Sequence, residues 1–347
     1  MNWDSLRACS DIEVVELTPE EAASTAALAD AQPHFSERGD PDLYVEYDIA
    51  SRNLCPRIQR ACARWAQALP VSTVFRGFDL GTPEPNPPGP VDRPIVPQRA
   101  TVTGALILLR AGHTPIGQHD MQKGRVGVAV YPHVGREGTQ SNAGTVANDH
   151  HGDWGWAPEG ARANAVALGI TRSEPERDAA HRVVPARRLL PRLSWATEQV
   201  LRAPRFLYRP TAGFGAHAPE CQLVAPVVTG PSYDPEIRYD TDMQPLDTAA
   251  AAAIRLLREA IEAESIDIPP EKGQLILHHN LRVLHGRRAV AGGPHPMARQ
   301  AFRIWGVRDP RQLSLYQPYA GAPVDPCEVL LDPKRSVCPV ANAEAKQ

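Results

Sequence analysis

Residues 277–287 read Leu277-His278-His279-Asn280-Leu281-Arg282-Val283-Leu284-His285-Gly286-Arg287, and residues 299–305 read Arg299-Gln300-Ala301-Phe302-Arg303-Ile304-Trp305. Upstream stands Asn148-Asp149-His150-His151-Gly152-Asp153. These stretches decide the fold, because their chemistry needs sheets that bring distant chain segments to one point. In an extended segment residues i and i+2 share a face, so His151 and Asp153 present an imidazole and a carboxylate together. A distant His285 completes a three-point face. Two imidazoles and one carboxylate leave three positions of an octahedral metal open, the donor set that suits non-haem Fe(II). Arg299 and Arg303 also share a face of a strand with alternating apolar residues. Inward-facing arginines are costly unless paired, and their planar forks suit carboxylates. A small dicarboxylate or an amino acid would satisfy them. His150 and His279 adjoin the proposed ligands but point to the opposite face, as packing groups.

Around these motifs the chain reads as short elements. Ala105–Leu109, Val126–Tyr131, Ala165–Ile170, Leu223–Val228, Gln274–Leu277 and Ala301–Val307 have the apolar runs of strands. Thr18-Pro19-Glu20-Glu21 has the form of a capping box and predicts a helix to about Ala31. Helical spacing of Ile58, Cys62, Trp65 and Leu69 predicts another over 55–69. Asp247 or Thr248 caps an Ala-rich helix running to about Glu264. The stretch 81–97 is so rich in Pro and Gly that it predicts an exposed connection, taken as a long loop within one domain. The fold class expected is mainly β with peripheral helices, a β-sandwich or jelly roll.

Composition narrows the function classes. The 347 residues include 35 Pro, which argues against a long-helix bundle. Net charge is −3, giving no electrostatic case for nucleic acid or an anionic membrane as partner. Of the 37 basic residues only four are lysine, so individual arginines must be argued singly. The six cysteines form no CxxC pair, and reduced thiols in a cytoplasm are expected. Cys221 is expected to be inert. No apolar run approaches the length of a membrane span. His113, His119 and His133 have spacings that match no zinc pattern.

Taken together, His151-x-Asp153, Asn280-x-Arg282-Val283-x-His285-Gly286-Arg287 and Arg299-x-x-x-Arg303 resemble the iron(II)/2-oxoglutarate-dependent oxygenases. The chain is most similar to their clavaminate synthase-like branch, which includes arginine and asparagine β-hydroxylases. The resemblance runs from about Gly112 to Val307. It includes 118–130, Gln140-Ser141-Asn142-Ala143-Gly144 and Arg238-Tyr239-Asp240-Thr241-Asp242. It implies a double-stranded β-helix, a cupin-like jelly roll, with Fe(II) on His151, Asp153 and His285. It assigns Arg299 to the distal carboxylate of the cosubstrate 2-oxoglutarate and Arg303 to the carboxylate of an amino-acid-like substrate. Asp240, with Gln122 and Asp242, would contact that substrate's amine or side chain. The implied reaction consumes O2 and 2-oxoglutarate, yields succinate and CO2, and hydroxylates an unactivated C–H bond in specialised metabolism such as antibiotic biosynthesis. The implied organisation is one domain over 1–347. Within it a helical N-terminal segment spans residues 1–104, a jelly-roll core spans 105–310 and a tail spans 311–347.

Three departures from the family pattern stand out. The carboxylate ligand is Asp153, where the branch often has Glu. The Thr or Ser that usually assists the cosubstrate arginine has no counterpart in Arg177-Asp178-Ala179-Ala180-His181-Arg182, so His181 or Arg182 is expected to complete that site. Trp154-Gly155-Trp156 is bulkier than the local pattern and either lines a larger pocket or packs the core. The alternatives are desaturation or cyclisation by the same cofactor chemistry, a zinc hydrolase, and a non-catalytic jelly-roll binding protein.

Overall fold

The computed structural model describes residues 3–33, 41–67, 70–91, 93–117, 126–157, 159–174, 180–209 and 222–309. Among these, two sheets carry the architecture. The larger has seven strands and begins with Ile12–Glu16 and Ser72–Arg76, which run parallel. Leu275–His279, Ala165–Arg172, Gln300–Val307 and Thr114–Ile116 follow in order, and Val128–Val130 also pairs with Gln300–Val307. The smaller has the order Ile266–Ile268, His181–Pro185, Val283–Arg287 and Asn148–His151, all antiparallel.

The sheets face one another. Val74 and Ile276 of the larger pack with Val183, Ile266 and Val283 of the smaller. The alternate residues Leu275 and Leu277 point the other way, into a second core under the helices. That core takes Pro41–Ser51, Pro56–Ala66 and Gln98–Arg110 against the outer face of the large sheet. Burial on both faces explains why Ala165–Arg172 is buried along its whole length and reads as a continuous apolar run. At its centre a Cβ on Gly169 would stand 2.1 Å from the Phe302 ring, so only glycine lets that ring lie flat on the strand.

Several expected elements are found where the local chemistry puts them. Thr18 and Glu21 form the reciprocal capping box at the start of Pro19–Asp30. Asp247 caps Thr248–Glu264 through the backbone N–H of Ala250. Among the described residues sixteen strands outnumber eight α-helices, with the strands forming the core sheets as expected.

Two expectations fail. Ala105–Leu109 is not a strand but the end of the helix Gln98–Arg110. That helix has buried residues at every position from Val102 to Leu108, and an apolar run buried all round carries no period to separate helix from strand. It also crosses the 104/105 division, and residues 1–104 supply two strands to the large sheet as well as helices. The 81–97 connection is not simply exposed. Asn86 is buried and donates through Nδ2 to the carbonyl of Ala298, and the Tyr131 hydroxyl donates to Gly89. Arg172 donates to the carbonyls of Pro83 and Glu84 and also to those of Pro296 and Ala298. The Pro-rich stretch is a strap tied to the segment that presents Arg299. His119, Gln122, Cys221 and the tail 311–347 lie outside the described residues.

Candidate metal centre and anion cavity

His151 ends its strand and stands directly opposite His285 on the neighbouring antiparallel strand. The two rings are 4.7 Å apart. A Cβ on Gly286 would meet the Asn148 carbonyl at 2.7 Å, so glycine there permits the close approach of these two strands. Asp153 is not in the strand. The chain leaves the sheet at Gly152, whose N–H donates to the Tyr239 carbonyl, and Trp154 adopts a left-handed φ of 59°. Asn280 fixes this turn by accepting from the Asp153 N–H at 2.8 Å and donating to the Asp153 and Ala163 carbonyls. A turn held by a distant Asn, not strand alternation, therefore brings the carboxylate to the imidazoles.

The three side chains converge. His151 Nε2 is 3.8 Å from Asp153 Oδ1, and His285 Nε2 is 3.7 Å from Asp153 Oδ2. One donor atom from each lies within 4.8 Å of the others. His151 uses Nδ1 toward the Asp149 carbonyl at 2.8 Å, which fixes its tautomer and leaves the Nε2 lone pair inward. Burial, opposed by Asp153, keeps His285 well below the usual imidazole range, so it is a neutral donor. Burial alone would raise the Asp153 carboxyl, but the Arg303 charge and the Trp305 indole N–H outweigh it and hold it at about 2. An ionised carboxylate between two imidazoles is a donor set for a divalent transition metal.

Two groups grip Asp153 from behind. Arg303 donates at 2.8 and 3.2 Å to its two oxygens, and the Trp305 Nε1–H donates to Oδ2 at 2.8 Å. Arg303, expected to face a substrate carboxylate, is thus engaged with the metal-site carboxylate, with its guanidinium also 4.4 Å over the Trp305 ring. Trp305 carries no signal of its own in the sequence, although it lies two residues beyond Arg303 and so on the same face. Trp154 and Trp156 pack in the core, Trp154 against Trp305 at 5.3 Å, and neither lines the cavity.

The cavity beside the triad is lined by His151, His285, Arg299, Arg303, His181 and His278, among others. Arg299 is buried there, as its motif predicts. Of the two residues expected to assist it, His181 faces this cavity. Arg182 points away and pairs with Glu262 and Ser265. His150 and His279 do point from the site: His150 bonds Ser265, and His279 bonds the Trp65 carbonyl while stacking on its ring at 3.6 Å. His113 is bonded to the Ala111 carbonyl, in a packing role.

Asp240 follows Tyr239, the residue that receives the Gly152 N–H. Burial raises its carboxyl, and His151 partly offsets this. Asp242 is exposed and meets Asp240 through its backbone N–H at 3.1 Å.

The described residues share their fold with several solved structures. A solved asparagine oxygenase, in complex with Fe(II), (2S,3S)-3-hydroxyasparagine and succinate, superposes with a TM-score of 0.81 at 24% identity. That match covers 90% of this chain and 99% of the other. The non-heme iron oxygenase OrfP, in complex with Fe and alpha-ketoglutaric acid, gives 0.78 at 23% identity over 90% and 99% of the two chains. In sequence, the L-asparagine oxygenase of Streptomyces coelicolor is 31% identical over 204 residues. That stretch is 58% of this chain and spans 60% of the curated relative. No family model matches the sequence. Among the described residues no helix is long and apolar enough to cross a membrane.

Proposed function

We propose that this chain is an Fe(II)- and 2-oxoglutarate-dependent oxygenase that hydroxylates an unactivated C–H bond of an amino acid or amino-acid-derived metabolite. The observation that carries the reading is the convergence of His151, Asp153 and His285 beside a buried Arg299 in one cavity. Iron with 2-oxoglutarate and O2 would supply the oxidant, and succinate and CO2 would leave. We read the two facing sheets as the double-stranded β-helix of that family, with the whole chain serving one domain.

The protein's own work is binding and orientation. His151 and His285 offer Nε2 donors, and Asp153 offers a carboxylate kept ionised by Arg303 and Trp305. Arg299 would take the distal carboxylate of 2-oxoglutarate in a buried site where the pairing is strong. Arg303 lies between the metal-site carboxylate and the cavity. Metal binding at Asp153 would relieve some of its pairing and leave guanidinium N–H groups for the carboxylate of the substrate. Asp240, whose charge is costly where it stands, would be compensated by a substrate amine or basic side chain. Asp242 acts on Asp240 through its N–H, and Gln122 is a further candidate contact.

A zinc hydrolase would give the buried Arg299 beside the triad no cosubstrate carboxylate to take, and the iron complexes of the structural neighbours favour the oxygenase. The test is turnover: purified protein, Fe(II), ascorbate, O2 and 2-oxoglutarate with pools of free and carrier-tethered amino acids. The expected result is succinate with a product heavier by one oxygen. A loss of two hydrogens would identify desaturation or cyclisation. No succinate with any pool would overturn the reading.

A further inference from the structure

Beside His285, one wall of the cavity presents His181 and His278, which with Ser72 behind them form a file of buried hydrogen-bonded groups from three strands. Ser72 and His278 are cross-strand neighbours in the large sheet, and Ser72 Oγ is 2.7 Å from His278 Nδ1. His278 reaches across to the facing sheet, where its Nε2 is 2.8 Å from His181 Nε2. Its ring lies parallel to His285 at 5.7 Å. Ser72 and His278 are fully buried, and His181 is buried with Arg299 nearby. Burial keeps both imidazoles uncharged at neutral pH.

Two neutral imidazoles joined Nε2 to Nε2 share one proton in that bond, so one ring donates and the other accepts. Ser72 decides which. If its hydroxyl accepted from His278 Nδ1–H, its own buried proton would need another acceptor, and the described residues offer it no second side-chain partner. An unsatisfied buried O–H is costly. With Ser72 donating instead, His278 carries its proton on Nε2 and gives it to His181 Nε2. His181 then carries its own proton on Nδ1. The opposite order would leave a lone pair at His181 Nδ1, which repels any anion held at Arg299.

We propose that Ser72, His278 and His181 form a fixed-tautomer relay that presents a His181 Nδ1–H to the distal carboxylate of 2-oxoglutarate. His181 is the binding residue, and His278 and Ser72 are positioning residues that set its tautomer. The relay does in this chain what a single hydroxyl side chain would do, and it ties cosubstrate binding to the register of the two sheets. The inference rests on the reading in which Arg299 receives that carboxylate.

The test is the equilibrium affinity of the anaerobic Fe(II)-loaded protein for two ligands, measured by calorimetry. One is 2-oxoglutarate. The other is 2-oxopentanoate, which has a methyl in place of the distal carboxylate. His181→Leu is expected to weaken 2-oxoglutarate by about 10- to 100-fold, the range for a hydrogen bond to a charged group, with 2-oxopentanoate unchanged. His181→Asn, whose side-chain N–H stands near the Nδ1 position, should recover most of the loss. Ser72→Ala should give a smaller loss, again confined to 2-oxoglutarate. Equal effects on both ligands, or none, would overturn the relay. Arg299→Gln separates the two layers: if it too fails to discriminate, the Arg299 assignment falls. If Arg299→Gln discriminates and His181→Leu does not, only the relay falls. Should His181→Leu not fold, Ser72→Ala carries the same comparison, with His181→Asn as the variant expected to stay near the wild type.

Discussion

Two groups of imidazoles line one cavity, and they differ in a single respect. His151 and His285 flank an ionised carboxylate, whereas among the described residues His181 and His278 hydrogen-bond to each other and to a hydroxyl. The first group holds negative charge that a cation can neutralise. The second holds none and spends its polarity on internal hydrogen bonds. Burial keeps His285, His181 and His278 alike uncharged, so proximity and burial do not by themselves make a metal site. The carboxylate does, together with the groups that keep it ionised.

The sharpest way to break this contrast is to remove that carboxylate. Asp153→Ala should abolish both metal binding and succinate formation, since it deletes a proposed ligand and leaves the half-buried Arg303 without its partner. Next in size, Asn280→Ala removes three hydrogen bonds that hold the Asp153 turn. A loss of about 2–4 kcal/mol in urea-unfolding stability is expected, because buried backbone groups are left unpaired. Retention of full stability would mean that the turn is held by something else. Trp305→Phe keeps the ring but removes the N–H on Asp153 Oδ2. Metal affinity should fall by about 10- to 100-fold, the usual cost of losing a hydrogen bond behind a ligand, while the preference for 2-oxoglutarate over 2-oxopentanoate is unchanged. A loss of that preference instead would merge the two imidazole groups into one functional unit.

A third pair, His113 and His279 around Trp65, extends the same contrast to pH. Burial, opposed by hydrogen bonds to the Ala111 and Trp65 carbonyls, lowers their imidazoles to about 4 and about 3 respectively. The unfolded chain, with imidazoles near 6.5, binds more protons than the folded one below about that pH. Stability is therefore expected to fall as pH drops from about 6.5 toward 4, read as the urea midpoint. His279→Gln should flatten some of that slope. An unchanged slope would show that other groups govern acid unfolding.

The candidate metal site is more legible in the sequence than the fold is. His151, Asp153 and His285 form short motifs whose residue types are unusual, and Arg299 and Arg303 follow on one strand face. The geometry behind them is less so. Asp153 is placed by Asn280 across 127 residues, and Ser72 meets His278 across 206. Neither pairing leaves a local pattern, because sheet register is set by the whole hydrophobic arrangement. Asn280 does stand inside a recognisable motif, but its two-sided grip on Asp153 is a property of the folded turn. The helix Gln98–Arg110 reads as a strand over its last residues because burial all round erases its period. The strap at 81–97 reads as exposed because proline content reports backbone geometry and says nothing of what Asn86 and Arg172 tie down.

The most direct test of the contrast is anaerobic equilibrium dialysis of Fe(II) against the wild type, Asp153→Ala and His278→Leu. The account predicts one iron per chain in the wild type, none with Asp153→Ala, and one with His278→Leu. Undiminished binding in Asp153→Ala, or its loss in a folded His278→Leu protein, would contradict it.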